Sequence, residues 1–348
     1  MIIYILNLVS VLFYAFVFSV SKKKYNSKKF LVVLLTAQLI TILALRNSTV
    51  GVDIPGYVRF FQNTPILNFQ QFMAHRWELG FKLLNKAISL FTSNEQVFLT
   101  IIATLTIIPV GRFIYKYSKM PFLSFALYIS FNFYSFVFSG LRQGIAYGIV
   151  LISYDFIVNR KLSKFIICIL FASLFHRSAL IFLPAYFLVK FKINYKSLGI
   201  VVITNGILYL FRKQIFEFAI QQFYPSYEVV VSSSISWMIL GIIITILGLL
   251  FYKNVVGISS QNNDLYVIMI TGVSLMIFAT VGTNVMRMAD YYYLFIIIFI
   301  PEVMNSIKDK GLVMLGGYLV VISTLVLHLW FLTYADTYQM VPYIFFWK

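Results

Sequence analysis

Residues 2–20 carry no charge, and uncharged runs of similar length recur almost to the end of the chain. A hydrocarbon core about 30 Å thick takes about 20 apolar residues per helical crossing. Within it, only helices or closed barrels satisfy their own backbone polar groups. The runs are continuous rather than alternating, which excludes a barrel. The chain is therefore expected to be an all-α polytopic membrane protein. Its 348 residues are 61% hydrophobic and 11% charged, too little polar surface for a soluble domain.

About 12 crossings are predicted, with 10 to 14 as the bounds, over a single domain spanning 1–348. They fall at 2–20, 30–45, 95–114, 121–138, 143–158, 164–175, 178–189, 197–211, 235–252, 264–281, 289–305 and 312–333. "SKKKYNSKK" follows the first run, the reverse of the charge order in a cleaved signal, so that run is expected to be retained with its N-terminus outside. Residues 164–189 are read as two short limbs, a hairpin or broken helix turning near His176 and Arg177 at the outer side. A single helix there would put Lys190, Lys192 and Lys196 outside, against the positive-inside bias.

That topology sorts the 28 basic residues unevenly. The outer side receives Arg46, Arg59, Arg76, Arg142, Arg177, Arg212 and Arg287, against four lysines, Lys82, Lys86, Lys213 and Lys348. Orientation accepts either residue type, so outer arginine asks for a second cause. Its planar fork binds phosphate or carboxylate through two parallel bonds, which lysine cannot do. The net charge of +17 thus divides into orienting lysines and an outer anion site, and needs no nucleic acid.

Several stretches carry polar groups into apolar surroundings. In "SGLRQGIAYG", Gly140, Gly144 and Gly148 share one helical face suited to close packing, and Arg142 points elsewhere, either into a wet cavity or snorkelling to the interface. Gln143 beside it favours the cavity. "MRMADYYY" sets Arg287 and Asp290 three apart before Tyr291: an internal ion pair with an aromatic belt, or an oriented arginine with rings for a sugar. "FHRSALIFLP" breaks an apolar stretch at His176 and Arg177; the cation next door favours a neutral imidazole, able to accept a proton or simply hydrogen-bonded.

An outer loop, 46–94, opens with "LRNSTVGVDIPGYVRFF", where Asp53 is a turn cap or a functional carboxylate. Within it Trp77, Phe81, Leu84, Ile88 and Phe91 follow helical spacing, with Glu78, Lys82, Asn85 and Ser89 on another face. This predicts an amphipathic helix at the outer interface, Glu78 being its first-turn acid. A second outer loop is expected at 212–234. No Asp-x-Asp, no phosphate loop, no HExxH and no His/Cys cluster is present, and Cys168 is alone, so neither metal nor ATP is indicated.

Taken in order, "LRNSTVGVDIPGYVRFF", "WELGFKLLN", "SGLRQGIAYGIVLISYDFIVNRKLSKF", "FHRSALIFLP" and "MRMADYYY" resemble the EpsG group of Wzy-type bacterial polysaccharide polymerases. Residues 195–265 show no family pattern. The resemblance implies a fold related to lipid-dependent GT-C-type glycosyltransferases and O-antigen ligases, in the bacterial plasma membrane with its site facing outside. It implies transfer of a glycan from undecaprenyl pyrophosphate to the non-reducing end of another lipid-linked repeat unit, with no cofactor, beside a flippase and a chain-length regulator. The matching positions are Arg46, Asp53, Tyr57, Glu78, Arg142, Gln143, His176, Arg177, Arg287 and Asp290, with Tyr291 as a further sugar contact.

Arg142 and Arg287 are the first choices for the charge that grows on the leaving pyrophosphate, Arg46 and Arg177 the second. Asp53 or His176 is expected to take the acceptor proton. A lipid-linked oligosaccharide flippase would need access from both sides, whereas the arginines gather on one. A ligase to another acceptor shares the donor chemistry. A membrane acyltransferase would need a partner for His176 that is not close in sequence, and a scaffold leaves the arginine sorting without a cause.

Overall fold

The protein was analysed as a computed structural model, which describes residues 1–20, 27–223 and 235–348. Lys22, Lys23 and Lys24, expected on the cytoplasmic side, lie outside the described residues, as does 224–234 of the second expected outer loop. Among the described residues the chain is helical with no β-strand, apart from one isolated bridge between Arg46 and Phe345. It divides into two compact units, Met1–Leu180 with Asp309–Lys348, and Ile181–Lys308.

The first unit begins with α1 (Ile2–Val20) and α2 (Ser27–Ala44), then enters the segment 46–94, expected from the sequence to be an outer loop. There it forms α3 (Ile54–Asn63), α4 (Phe69–Ala74) and α5 (Leu79–Ser89). Next come α6 (Glu95–Tyr117), α7 (Pro121–Ser130), α8 (Phe133–Phe136), α9 (Leu141–Val158) and α10 (Leu162–Ser173). Helix α6 is the spine, packing against α2 on one side and α9 on another, with α10 beside α9. A Cβ on Gly144 would meet Val137 and Thr106 at 2.9 and 3.1 Å, and one on Gly148 would meet Pro109 at 3.0 Å. The small face of α9 is therefore the seam with α6, the packing that the glycine spacing predicts.

The second unit holds α11 (Ala185–Leu188), α12 (Tyr195–Leu210), α13 (Arg212–Phe223), α14 (Ile235–Leu250), α15 (Tyr252–Ile258), α16 (Asn262–Leu275), α17 (Thr283–Tyr293) and α18 (Ile296–Ser306). Asn263 ties its turns together, donating to the Phe191 carbonyl at 3.0 Å and accepting from the Tyr252 hydroxyl at 2.9 Å. The described part of the 212–234 loop is α13. Helix α19 (Lys310–Tyr334) returns the chain to the first unit, where it packs on α7.

Nearly every predicted apolar run is a helix, but length separates them. Four helical stretches among the described residues are long and apolar enough to cross a bilayer: Glu95–Tyr117, Leu141–Val158, Asn262–Thr280 and Gly311–Tyr334. The total is six if the bent pairs Tyr195–Leu210 with Arg212–Phe218 and Ile235–Leu250 with Tyr252–Ile258 each make one crossing. Twelve was expected from the sequence. The runs at 121–138 and 289–305 are interrupted instead, the first at Asn132, which has a φ of 63°. At 1.5 Å per residue, a piece such as Pro121–Ser130 spans about 15 Å, half a hydrocarbon core. The predicted break near His176 is present: α10 ends at Ser173 and a 3-10 turn starts at Arg177.

The polar face expected for the 77–91 helix is not an outer face. Lys82 and Asn85 are buried, while Leu83, Leu90 and Phe91 are exposed. The Lys82 ammonium donates to the Met73 carbonyl at 2.9 Å, and Lys86 reaches the Thr64 carbonyl at 3.4 Å. Each thus covers the C-terminal end of a preceding short helix, where carbonyls lack internal partners and the dipole favours a cation. That demand turned the lysine side of α5 inward.

Candidate functional site

The N-terminal end of α9 gathers polar residues of the segment 46–94. Its approach is a tight turn in which the Ser139 and Gly140 amides both donate to the Phe136 carbonyl, at 3.0 and 2.9 Å. The loop 46–53 is stitched against this turn. A Cβ on Gly51, whose φ is 112°, would stand 2.0 Å from the Phe138 carbonyl oxygen, so only glycine permits the approach. Arg46 is 2% exposed; its Nη1 donates to that same carbonyl at 2.7 Å and its guanidinium lies over the Phe138 ring.

From the other side the C-terminal segment holds the loop. The Gly51 and Val52 amides donate to the Gln339 and Tyr338 carbonyls at 3.1 and 3.0 Å, and Asn47 donates to Ile344 at 2.8 Å. The Asp336 carboxylate orders that segment by accepting from the Met340 and Val341 amides at 2.9 and 2.7 Å. No feature of the sequence pointed to this latch, because its partners are some 290 positions apart and its bonds are to backbone.

Asp53 and Glu78 stand at the N-cap positions of α3 and α5, where a carboxylate ordinarily accepts from its own helix. Neither side chain does so. Asp53 accepts instead from the Ser139 hydroxyl, 2.8 Å from Oδ2, and its own amide donates back to Ser139 Oγ at 3.3 Å. Glu78 Oε2 accepts from Arg142 Nη1 in an ion pair. Glu78 Oε1 accepts from the Arg177 amide at 3.3 Å and lies 3.2 Å from His176 Nδ1, a close approach without hydrogen-bond alignment.

Arg142 is the hub. Besides Glu78, it donates from Nε to the Tyr57 hydroxyl at 3.2 Å, and its guanidinium faces the Tyr57 and Trp77 rings at 5.9 and 5.6 Å. Tyr57, Trp77, Phe60 and His75 form a connected aromatic group behind it. Such a cation gains about 0.5–2 kcal/mol from rings when partly desolvated, which offsets part of the cost of burying it. A fifth of the Arg142 side chain remains exposed, and among the described residues its Nη2 has no hydrogen-bond partner. One half of the fork is therefore spent on anchoring and the other is available to an anion.

The charges are balanced to stay charged. Burial works against ionisation of Glu78, but His176 and Arg142 outweigh it and hold the carboxyl at about 2, below its ordinary 4.5. Burial also pushes the Tyr57 hydroxyl up, with Arg142 pulling the other way, so it remains a neutral phenol. His75 is pushed down by burial and by Arg76, Lys82 and Arg142.

Six sequence-predicted residues thus meet in the first unit: Asp53, Tyr57, Glu78, Arg142, His176 and Arg177. Arg46 belongs to the same neighbourhood but is enclosed by backbone. Gln143 is buried on α9 and donates to the Tyr147 hydroxyl at 2.8 Å, one turn along its own helix. Arg287, Asp290 and Tyr291 belong to the second unit, on α17; Arg287 is exposed, Asp290 and Tyr291 buried. Ser139 and Trp77 were missed as site residues. Serine before a helix is commonplace, and Trp77 had been assigned to a packing face. Among the described residues no group of three or more His, Cys, Asp or Glu is placed to hold a metal ion.

The chain belongs to the EpsG family, whose model matches residues 29–345. No curated protein and no solved structure matches it. Membership carries the role of a polysaccharide polymerase in general terms, and the long apolar helices agree with a membrane protein.

Proposed function

With EpsG membership as the premise, we propose that the protein transfers a growing glycan from undecaprenyl pyrophosphate to the non-reducing end of a second lipid-linked repeat unit, at the outer face of a bacterial plasma membrane. The observation that carries this reading is the half-used fork of Arg142. Its Nη1 is held by Glu78 and its Nε by Tyr57, so the free Nη2 edge is pre-aimed rather than mobile. Breaking the glycosidic bond leaves new charge on the pyrophosphate, and a donor fixed in advance stabilises that charge without reorganising. Arg177, exposed one residue from His176, adds a second cation in the same unit.

The acceptor side needs a group to take the hydroxyl proton, and Asp53 and His176 are both at hand. Cleavage of the activated bond between the anomeric carbon and the lipid pyrophosphate supplies the driving force, so the reaction calls for no nucleotide. The outward placement rests on the sorting of arginine and lysine along the chain. A flippase that delivers the donor and a chain-length regulator are the partners this reading requires. Arg287 and Asp290, on α17 of the second unit, stay candidates for binding donor or acceptor.

The test is the product of purified protein in vesicles given a polyprenyl-pyrophosphate oligosaccharide with no nucleotide. A ladder spaced by one repeat unit is expected. Glycan found only on an acceptor other than a lipid-linked repeat, or lipid-linked sugar moved across the bilayer without elongation, would replace this reading with a ligase or a transporter.

A further inference from the structure

The site contains two carboxylates in different surroundings. Glu78 is spent: Arg142 holds one oxygen, the Arg177 amide the other, and the carboxyl is kept far below its ordinary range. A carboxylate so stabilised as an anion is a poor proton acceptor. Asp53 has no Lys, Arg or His in ion-pair contact among the described residues, is exposed, and commits a single oxygen, Oδ2, to Ser139. Its Oδ1 has no hydrogen-bond partner among the described residues.

Ser139 is buried and uses its one hydroxyl in both directions, donating to the Asp53 carboxylate and accepting the Asp53 amide. The residue is itself fixed, since its amide donates to Phe136 in the turn that starts α9 and the adjoining Phe138 carbonyl is braced by Arg46. Two bonds between the same two residues remove the rotations by which an N-cap aspartate would otherwise swing to its own helix. Arg142 stands three residues beyond Ser139 on the same helix start, so the turn that sets Asp53 also sets the guanidinium.

We infer that Ser139 is a positioning residue that holds Asp53 as the general base for the acceptor hydroxyl, while Glu78 serves only to anchor Arg142. This rests on the transferase reading above. In the step, the acceptor oxygen attacks the anomeric carbon of the donor and its proton passes to Asp53 Oδ1. The bond from that carbon to the pyrophosphate oxygen breaks, and the lipid pyrophosphate leaves with the electron pair. His176, facing Glu78, is not required to take a proton.

The experiment compares Ser139→Ala, Ser139→Thr, Asp53→Asn and the Ser139→Ala/Asp53→Asn double variant in the vesicle assay, each corrected for folded fraction. Ser139→Ala is expected to lower kcat on the order of tenfold to a hundredfold with KM for the acceptor within about twofold, since only proton transfer is disturbed. Ser139→Thr, which keeps the hydroxyl, restores the rate to within about threefold. Adding Ser139→Ala to Asp53→Asn costs nothing further, because there is no base left to position. Asp53→Asn retains an oxygen for Ser139, so it folds even if Ser139→Ala does not.

Wild-type kcat in Asp53→Asn, or an equal loss from Ser139→Ala with and without Asp53, would overturn the inference while the ladder itself stands. Transfer to a different acceptor would overturn the polymerase reading, and the same four ratios on that transfer would still decide the role of Ser139. A wild-type protein inert toward lipid-linked donors would overturn both.

Discussion

The two ends of α9 carry ion clusters built from similar parts, about 20 Å apart along one helix. At the C-terminal end Asp155 accepts from Arg112, Lys116 and Tyr117, all from α6, while Asn159 donates to the Asp155 carbonyl at 2.6 Å. Both carboxylate oxygens are occupied, and the two cations are half-exposed with water to turn to. At the N-terminal end the ratio is inverted. One arginine is held by one carboxylate and one phenol, and Nη2 of Arg142, Nε2 of His176 and Oδ1 of Asp53 are left without partners among the described residues. The closed cluster joins two helices. The open one keeps bonding capacity that no described residue uses, and offsets part of the cost by surrounding Arg142 with rings.

The difference sets the order of effects expected from substitution. Arg142→Lys keeps the charge and loses the fork; elongation should fall about 10²–10³-fold, comparable to removing one fixed donor from a developing charge. Next is Glu78→Gln, which strands the Arg142 guanidinium: about 3 kcal/mol of stability, at the low end for one partner of a buried pair because Arg142 reaches solvent, and a rate loss measurable in the same assay. Tyr57→Phe removes the hydroxyl that fixes Arg142 Nε but keeps the ring, so a loss of only a few-fold is expected, checked by initial elongation rates.

Acid gives a subtler separation. The folded value of Glu78 is depressed, so its contribution is fully present above about 4.5 and is lost as pH falls toward about 2. Thermal midpoints of the wild type should therefore decline across that window more steeply than those of Glu78→Gln. Parallel curves would mean that the clamp contributes little to stability.

Much of this was legible in the sequence because it is periodic or chemically costly. The apolar runs located the helices, the glycine spacing located the α6 seam, and the arginines that the charge sorting assigned to the outer side drew attention to Arg142. What sequence could not convey was who faces whom. Arg142 and Glu78 are 64 positions apart and Asp53 and Ser139 86 apart, and such pairs leave no local pattern. Arg46 looked like Arg142, yet it is buried and braces a turn, since a cation on a buried backbone carbonyl and one partly open to solvent have the same letter. The polar side of α5 turned inward for a related reason: helix ends need cations, and Lys82 and Lys86 met that need. Crossing count was the least legible quantity, because hydropathy does not register the break at Asn132, which leaves the run 121–138 in short pieces.

The central claim is that the open end of α9 performs chemistry and the closed end holds structure. It is tested most directly by initial elongation rate, per folded molecule, for Arg142→Lys and Asp155→Asn prepared side by side. The account predicts a loss of at least about a hundredfold for Arg142→Lys, and a rate within about twofold of wild type for Asp155→Asn, whose thermal midpoint alone should drop. An Arg142→Lys enzyme that elongates at the wild-type rate would contradict it.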